Sequence, residues 1–107
     1  MNTKGDYMER KGEMTKRLLG ESFKELMQKK PFDKITIKMI TDGAGVIRPT
    51  FYNYFQDKYE VMEWLLEQDV FIGARELIHM NMQREAVKMI FRKLEAERQY
   101  YVRAFEV

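Results

Sequence analysis

Cysteine is absent from this chain. Without thiols there can be no disulfide and no thiolate metal site, and a reducing cytoplasm is the natural compartment. Histidine occurs once, at position 79, with no nucleophile at an identifiable spacing, so it reads as a surface or structural residue. No apolar run approaches the ~18 residues of a membrane span, and no membrane partner is expected. The N-terminal stretch MNTKGDYMERKGEM lacks the apolar core of a secretion signal. A phosphate-cradling glycine loop is also missing, because Gly43-Ala44-Gly45 follows no strand and precedes no Lys-Ser/Thr pair. The carboxylates are scattered as helix-surface pairs with lysines, such as Glu21 and Glu25 near Lys24 and Lys29, and are expected to be solvated. No catalytic residue, cofactor or metal is therefore expected.

What is present is a charge-rich chain with helical patterning. Its 107 residues make one domain the default, with roughly 60–70% of the unfolded surface buried in one modest core. A hydrophobic content of 45% beside a charged content of 34% suits a globular helical protein. The net charge of +2 is unevenly spread: residues 1–58 hold 12 Lys and Arg against 8 Asp and Glu, for +4, and residues 59–107 hold 7 against 9, for −2. An anionic partner for the first half is plausible on that ground.

Residues 1–12 are polar and broken by glycine, and read as a loose, flexible arm. From Glu13 the pattern is helical, with Leu19, Phe23, Leu26 and Met27 on one face. Lys29 and Lys30 suit the last turn, and Pro31 ends the helix. Phe32, in the turn that follows, is expected against the core. Thr36 is placed to cap a short helix, IKMITDGA, whose apolar side is Ile37, Ile40 and Ala44. Gly45 suits the left-handed residue that closes it. A strand through Ile35 and Ile37 is rejected because no partner strand exists elsewhere.

The next helix is expected from Pro49 to Phe55, with proline at its first position and Arg48 as the cap residue. Phe51 and Phe55 face inward and Arg48, Thr50 and Asn53 outward, with Tyr52 and Tyr54 at the flanks. Two short helices joined by a glycine turn form a helix-turn-helix. Asp57 can cap a longer helix from Lys58 to about Gly73, with Val61, Met62, Leu65 and Leu66 on its apolar side and Trp64 near the edge. Beyond Gly73 the pattern blurs until a helix carrying Val87, Ile90, Phe91 and Leu94. Tyr100, Tyr101 and Phe105 close the chain, either as a docked terminal helix or as aromatics whose packing partners are missing.

The second helix of a helix-turn-helix brings its N-terminal end to the major groove, while the helix before it crosses the backbone. Arg48 can donate twice to a guanine edge, and the Thr50 methyl can meet a thymine methyl. Tyr52 can hydrogen-bond a phosphate, Lys58 adds a cation at a helix start, and Lys38 lies where the preceding helix meets the backbone. Each also has a bland reading: Arg48 and Lys58 as plain surface charges, Pro49 as a helix starter, Tyr52 and especially Tyr54 as half-buried core aromatics. The candidate DNA-facing set is Thr36, Lys38, Arg48, Pro49, Thr50, Tyr52, Asn53, Tyr54 and Lys58.

The segment ITIKMITDGAGVIRPTFYNYFQDKYEVM resembles the DNA-binding region of TetR/AcrR-family transcriptional regulators. The matching features are Thr36-Ile37, Ala44-Gly45-Val46, Thr50-Phe51-Tyr52 with Phe55, and Lys58, within a likeness covering about residues 13–66. LMQKKPFDKITI and NYFQDKYEVMEW look like the branch that includes regulators of dihydroxyacetone-kinase operons. The resemblance implies an all-α fold: a three-helix DNA-binding bundle, residues 13–57, then a connecting helix and the beginning of a helical regulatory or dimerisation region, residues 58–107. It implies double-stranded DNA as partner and a homodimer. Lys38, Arg48, Pro49 and Thr50 match positions that often touch bases or groove edges, and Tyr52 and Lys58 match positions that often hold phosphates. Two residues depart from the pattern: Ile47 stands where a capping Ser is frequent, and Pro49 where Gly or Ser is common.

Such regulators are usually close to twice this long, so the chain is expected to be either a fragment or a natural short form. A small-molecule effector is expected only if further C-terminal helices exist. The rival expectation is a non-catalytic helical interaction module, using Phe, Tyr and its nine methionines to pair with a protein such as a full-length regulator.

Overall fold

The structure is a computed structural model that describes residues 3–107, and the side chains of all of these but 3, 4, 6 and 7. Seven α-helices carry it: α1 (Thr3–Lys29), α2 (Ile37–Ala44), α3 (Arg48–Tyr52), α4 (Lys58–Leu66), α5 (Ile72–His79), α6 (Gln83–Ala96) and α7 (Arg98–Phe105). A 3-10 turn, Phe32–Lys34, joins α1 to α2, and a π-helical segment, Glu67–Phe71, joins α4 to α5. No strand occurs among the described residues. The thinnest dimension is 19 Å, about two helix diameters.

The first helix begins at Thr3 rather than near Glu13. The stretch expected to be a loose arm is therefore helical from Thr3, while Met1 and Asn2 lie outside the described residues. Its polar composition hid a tertiary contact. A β-carbon placed on Gly12 would lie 3.4 Å from Cε1 of Tyr54, so a tyrosine ring lies against the backbone of α1 there. Further along, Leu19, Phe23 and Met27 are completely buried, as their four-residue spacing requires. Pro31 follows the helix end and has no N–H with which to continue it.

Local chemistry sets the two ends of α2. The Thr36 hydroxyl accepts from the Met39 N–H at 3.1 Å, filling one of the helix's open donors. At the other end Gly45 has φ +72°, and the Val46 and Gly45 N–H groups donate to the Thr41 and Asp42 carbonyls at 3.1 and 3.3 Å. This pair of reverse bonds closes a helix through a left-handed residue, for which glycine has no steric penalty. The same closure ends α5, where Asn81 takes φ 63° and the Met82 and Asn81 N–H groups donate to Leu77 and Ile78 at 2.8 and 2.9 Å.

The helix expected to stop at Gly73 continues through the π segment and α5 to His79. Gly73 is a crossing point rather than an end: a β-carbon there would sit 3.0 Å from Sδ of Met89, so its missing side chain lets α6 approach. The chain then returns as α7, which packs on α1. Tyr100 and Tyr101 are 2% and 4% exposed within the core that also holds Phe23 and Leu65. Of the two readings left open for the C-terminal aromatics, docking on the core describes these two, while Phe105 stays 66% exposed. Of the four apolar residues expected to be carried by the helix that is α6, Val87 and Phe91 are exposed, while Ile90 and Leu94 pack against the core.

Lys24, expected at the solvated surface, is 5% exposed. Its ammonium donates to Asp69 at 2.6 Å and to Glu97 at 2.8 and 3.1 Å, and Arg17 reaches the other oxygen of Asp69 at 3.1 Å. Burial pulls the Lys24 pKa down, but the hydrogen bonds it donates to Asp69 and Glu97 outweigh this and hold the group above its ordinary value. The cluster ties α1 to the π segment and to the α6–α7 junction.

Candidate nucleic-acid interface

The short helix α3 is held from behind. Phe51 is fully buried and Phe55 is 4% exposed, their ring centres 5.7 Å apart, with Trp64 of α4 edge-on to Phe55 at 6.0 Å. Those anchors leave the opposite side free: Arg48, Pro49, Tyr52 and Asn53 are exposed and Thr50 is half-buried. Tyr52 stands edge-on to Phe51 at 5.3 Å, and the Arg48 guanidinium lies 5.8 Å over the Tyr52 ring.

The boundaries differ by a residue or more from those expected. Ile47, not Arg48, is the cap residue; α3 starts at Arg48 and its last helical residue is Tyr52, with Asn53 closing it, not Phe55. Arg48 is helical despite preceding a proline, and Ile47 takes the extended conformation at the entry (φ −88°, ψ 158°).

The remaining candidates fall in three places. Thr36 is exposed, but its hydroxyl is engaged in capping α2. Lys38, in the first turn of α2, has 81% of its side chain exposed and pairs with Asp42 at 2.8 Å, a surface pair that a phosphate could replace at small cost. Tyr54, 37% exposed, has its ring edge and hydroxyl within 3.5 Å of where a Gly12 β-carbon would stand. It is exposed rather than the half-buried core aromatic that one reading anticipated, with one side of its ring against α1.

Lys58 is placed differently from its assigned phosphate role. Its ammonium donates to the Phe32 carbonyl at 2.5 Å and to the Ile35 carbonyl at 2.9 Å, and lies 4.1 Å from the centre of the Phe32 ring. The residue clamps the 3-10 turn to the start of α4. That start is capped as expected by Asp57, whose carboxylate accepts from the Glu60 N–H at 2.9 Å, while Glu60 accepts from the Gln56 N–H at 2.6 Å.

Thus Arg48, Pro49, Tyr52 and Asn53 share the outward side of α3, with Thr50 half-buried among them and Lys38 and Thr36 on the preceding helix. The Lys58 ammonium turns toward the bundle, and the exposed Tyr54 ring lies against α1 at Gly12. Among the described residues no group of three or more His, Asp or Glu is gathered to hold a metal ion. No helix there is long and apolar enough to cross a membrane.

Over residues 24–65 the chain matches the profile of bacterial regulatory proteins of the tetR family. It is also similar to the HTH-type dhaKLM operon transcriptional activator DhaS of Lactococcus lactis subsp. lactis (strain IL1403), with 29% identity over 102 residues, 92% of this chain and 52% of that protein. The chain spans about half the length of this curated relative.

Proposed function

We propose that this chain, whose head carries the N-terminal segment of a tetR-family bacterial regulator, controls transcription by binding duplex DNA with α3 in the major groove. The observation that carries this reading is the division of α3: Phe51 and Phe55 are locked into the core while Arg48, Pro49, Tyr52 and Asn53 are left to solvent. A groove about 12 Å wide accepts such a helix and is read by side chains of these types. Arg48 takes a base edge and Tyr52 a phosphate, with Pro49, Thr50 and Asn53 at the groove floor and Lys38 and Thr36 at the backbone. The similar DhaS is named as a transcriptional activator of an operon, which supports a role in regulation rather than catalysis.

The protein works in the cytoplasm as a homodimer, because two half-sites multiply the few phosphate contacts that one head can make. The exposed apolar pair Val87 and Phe91, one turn apart on α6, is of the kind a second copy covers. Binding to a randomised duplex pool across a salt series, with solution mass measured in parallel, tests the reading. Enrichment of one sequence, often in paired half-sites, is expected, with affinity falling linearly in log salt. Equal retention of all sequences would overturn it.

A further inference from the structure

We infer that Ile47 reads a thymine: its side chain meets the C5-methyl group of one thymine in the major groove, so that the preferred site requires that methyl where α3 enters. This rests on the DNA-binding reading above and adds to it a residue and a chemical group.

Three helices of the head start in sequence, and two start alike. Thr36 and Asp57 each place a side-chain oxygen on an N–H of the first turn of α2 and α4, at 3.1 and 2.9 Å. At the equivalent position of α3 stands Ile47, which makes no side-chain cap bond. Isoleucine is among the poorest residues for that position. Nor does the fold use its side chain for packing. At 69% exposed it is the most exposed large apolar residue among those described. A side chain that neither caps nor packs, beside the exposed Arg48 and Pro49, is free to act on a ligand.

The helix entry is also poor in donors. Pro49 has no N–H, and the Thr50 N–H is taken by the Ile47 carbonyl at 3.0 Å. Beside the Arg48 guanidinium, the entry thus presents an apolar edge, Ile47 with Pro49, rather than a backbone cradle for a phosphate. Of the groups that bases present in the major groove, the thymine C5-methyl is the apolar one.

The preferred duplex is prepared with each thymine replaced in turn by deoxyuridine, which keeps the hydrogen-bonding edge and removes only the methyl. Wild-type affinity is expected to fall about 3- to 5-fold at one thymine, the worth of one buried methyl-sized group. Ile47→Val should keep that dependence. Ile47→Ser should lose it while melting at the same or a higher temperature, since serine supplies the absent cap. If wild type and Ile47→Ser respond alike to every replacement, the inference is wrong and the DNA-binding reading stands. If the wild type does not distinguish the enriched duplex from random DNA, both fall.

Discussion

The ammonium of Lys58 sits 4.1 Å from the centre of the Phe32 ring and donates to the carbonyl of that same residue. One side chain thereby fastens α4 to the turn 26 positions earlier. Charge-assisted bonds of this kind contribute about 1.5–3 kcal/mol. Lys58→Met should lower unfolding free energy by about 2 kcal/mol, while the salt slope of DNA binding changes by well under one unit. Urea titration and a salt series on the same variant check this. A full unit of slope lost with stability intact would return Lys58 to the phosphate backbone.

Arg48 is held over Tyr52 and makes no ion pair among the described residues. Arg48→Ala should therefore leave the melting temperature nearly unchanged and cost about 1–3 kcal/mol on the preferred duplex. Specific and random DNA should be affected unequally. An identical loss on both would make Arg48 a phosphate contact instead of a base reader.

Two glycines of α1 should respond oppositely to alanine. At Gly12 a β-carbon meets only the Tyr54 ring, at an ordinary 3.4 Å, so Gly12→Ala should stabilise by about 0.5–1 kcal/mol through helix propensity. At Gly20 it would stand 2.7 Å from Cδ2 of Leu65 and 3.2 Å from Trp64. Leu65 is completely buried and cannot yield, so Gly20→Ala should cost about 1–3 kcal/mol. Thermal melts of the two variants would show shifts of opposite sign.

The buried cluster makes stability depend on pH at the alkaline end. Lys24 is held above its ordinary pKa by Asp69 and Glu97 against the pull of burial, and burial also raises the Tyr100 and Tyr101 phenols. All three bind protons more tightly folded than unfolded. Their contribution is complete below the unfolded values, near 10 and 10.5, and is lost as pH rises through the folded ones. Helical signal against pH should fall steeply above about pH 10. At neutral pH, Lys24→Ala should cost about 3 kcal/mol by leaving the largely buried Asp69 with Arg17 alone and Glu97 without its ammonium partner, whereas an extra Asp69→Asn substitution should restore part of that loss.

The legible parts of the head were those in which one residue answers another three or four positions away. Thr36 and Asp57 cap, Gly45 turns left-handed, and Phe51 and Phe55 face the core, each for a reason contained within a turn of helix. The start of α1 was misread because the contact that explains Gly12 comes from Tyr54, 42 positions on. Ile47 carried a signal that could have been weighed further: an apolar β-branched residue standing where a helix wants an oxygen.

Sequence alone determined the all-helical architecture, the glycine turn and which edge of α3 faces outward, since periodicity and capping act within a few residues. Only the tertiary structure decided that Lys58 and Lys24 turn inward and that α7 completes the core. Their partners lie 23 to 73 positions away, and a lysine's long flexible stem reaches a carbonyl, a carboxylate or water with equal ease until packing leaves one of them within reach.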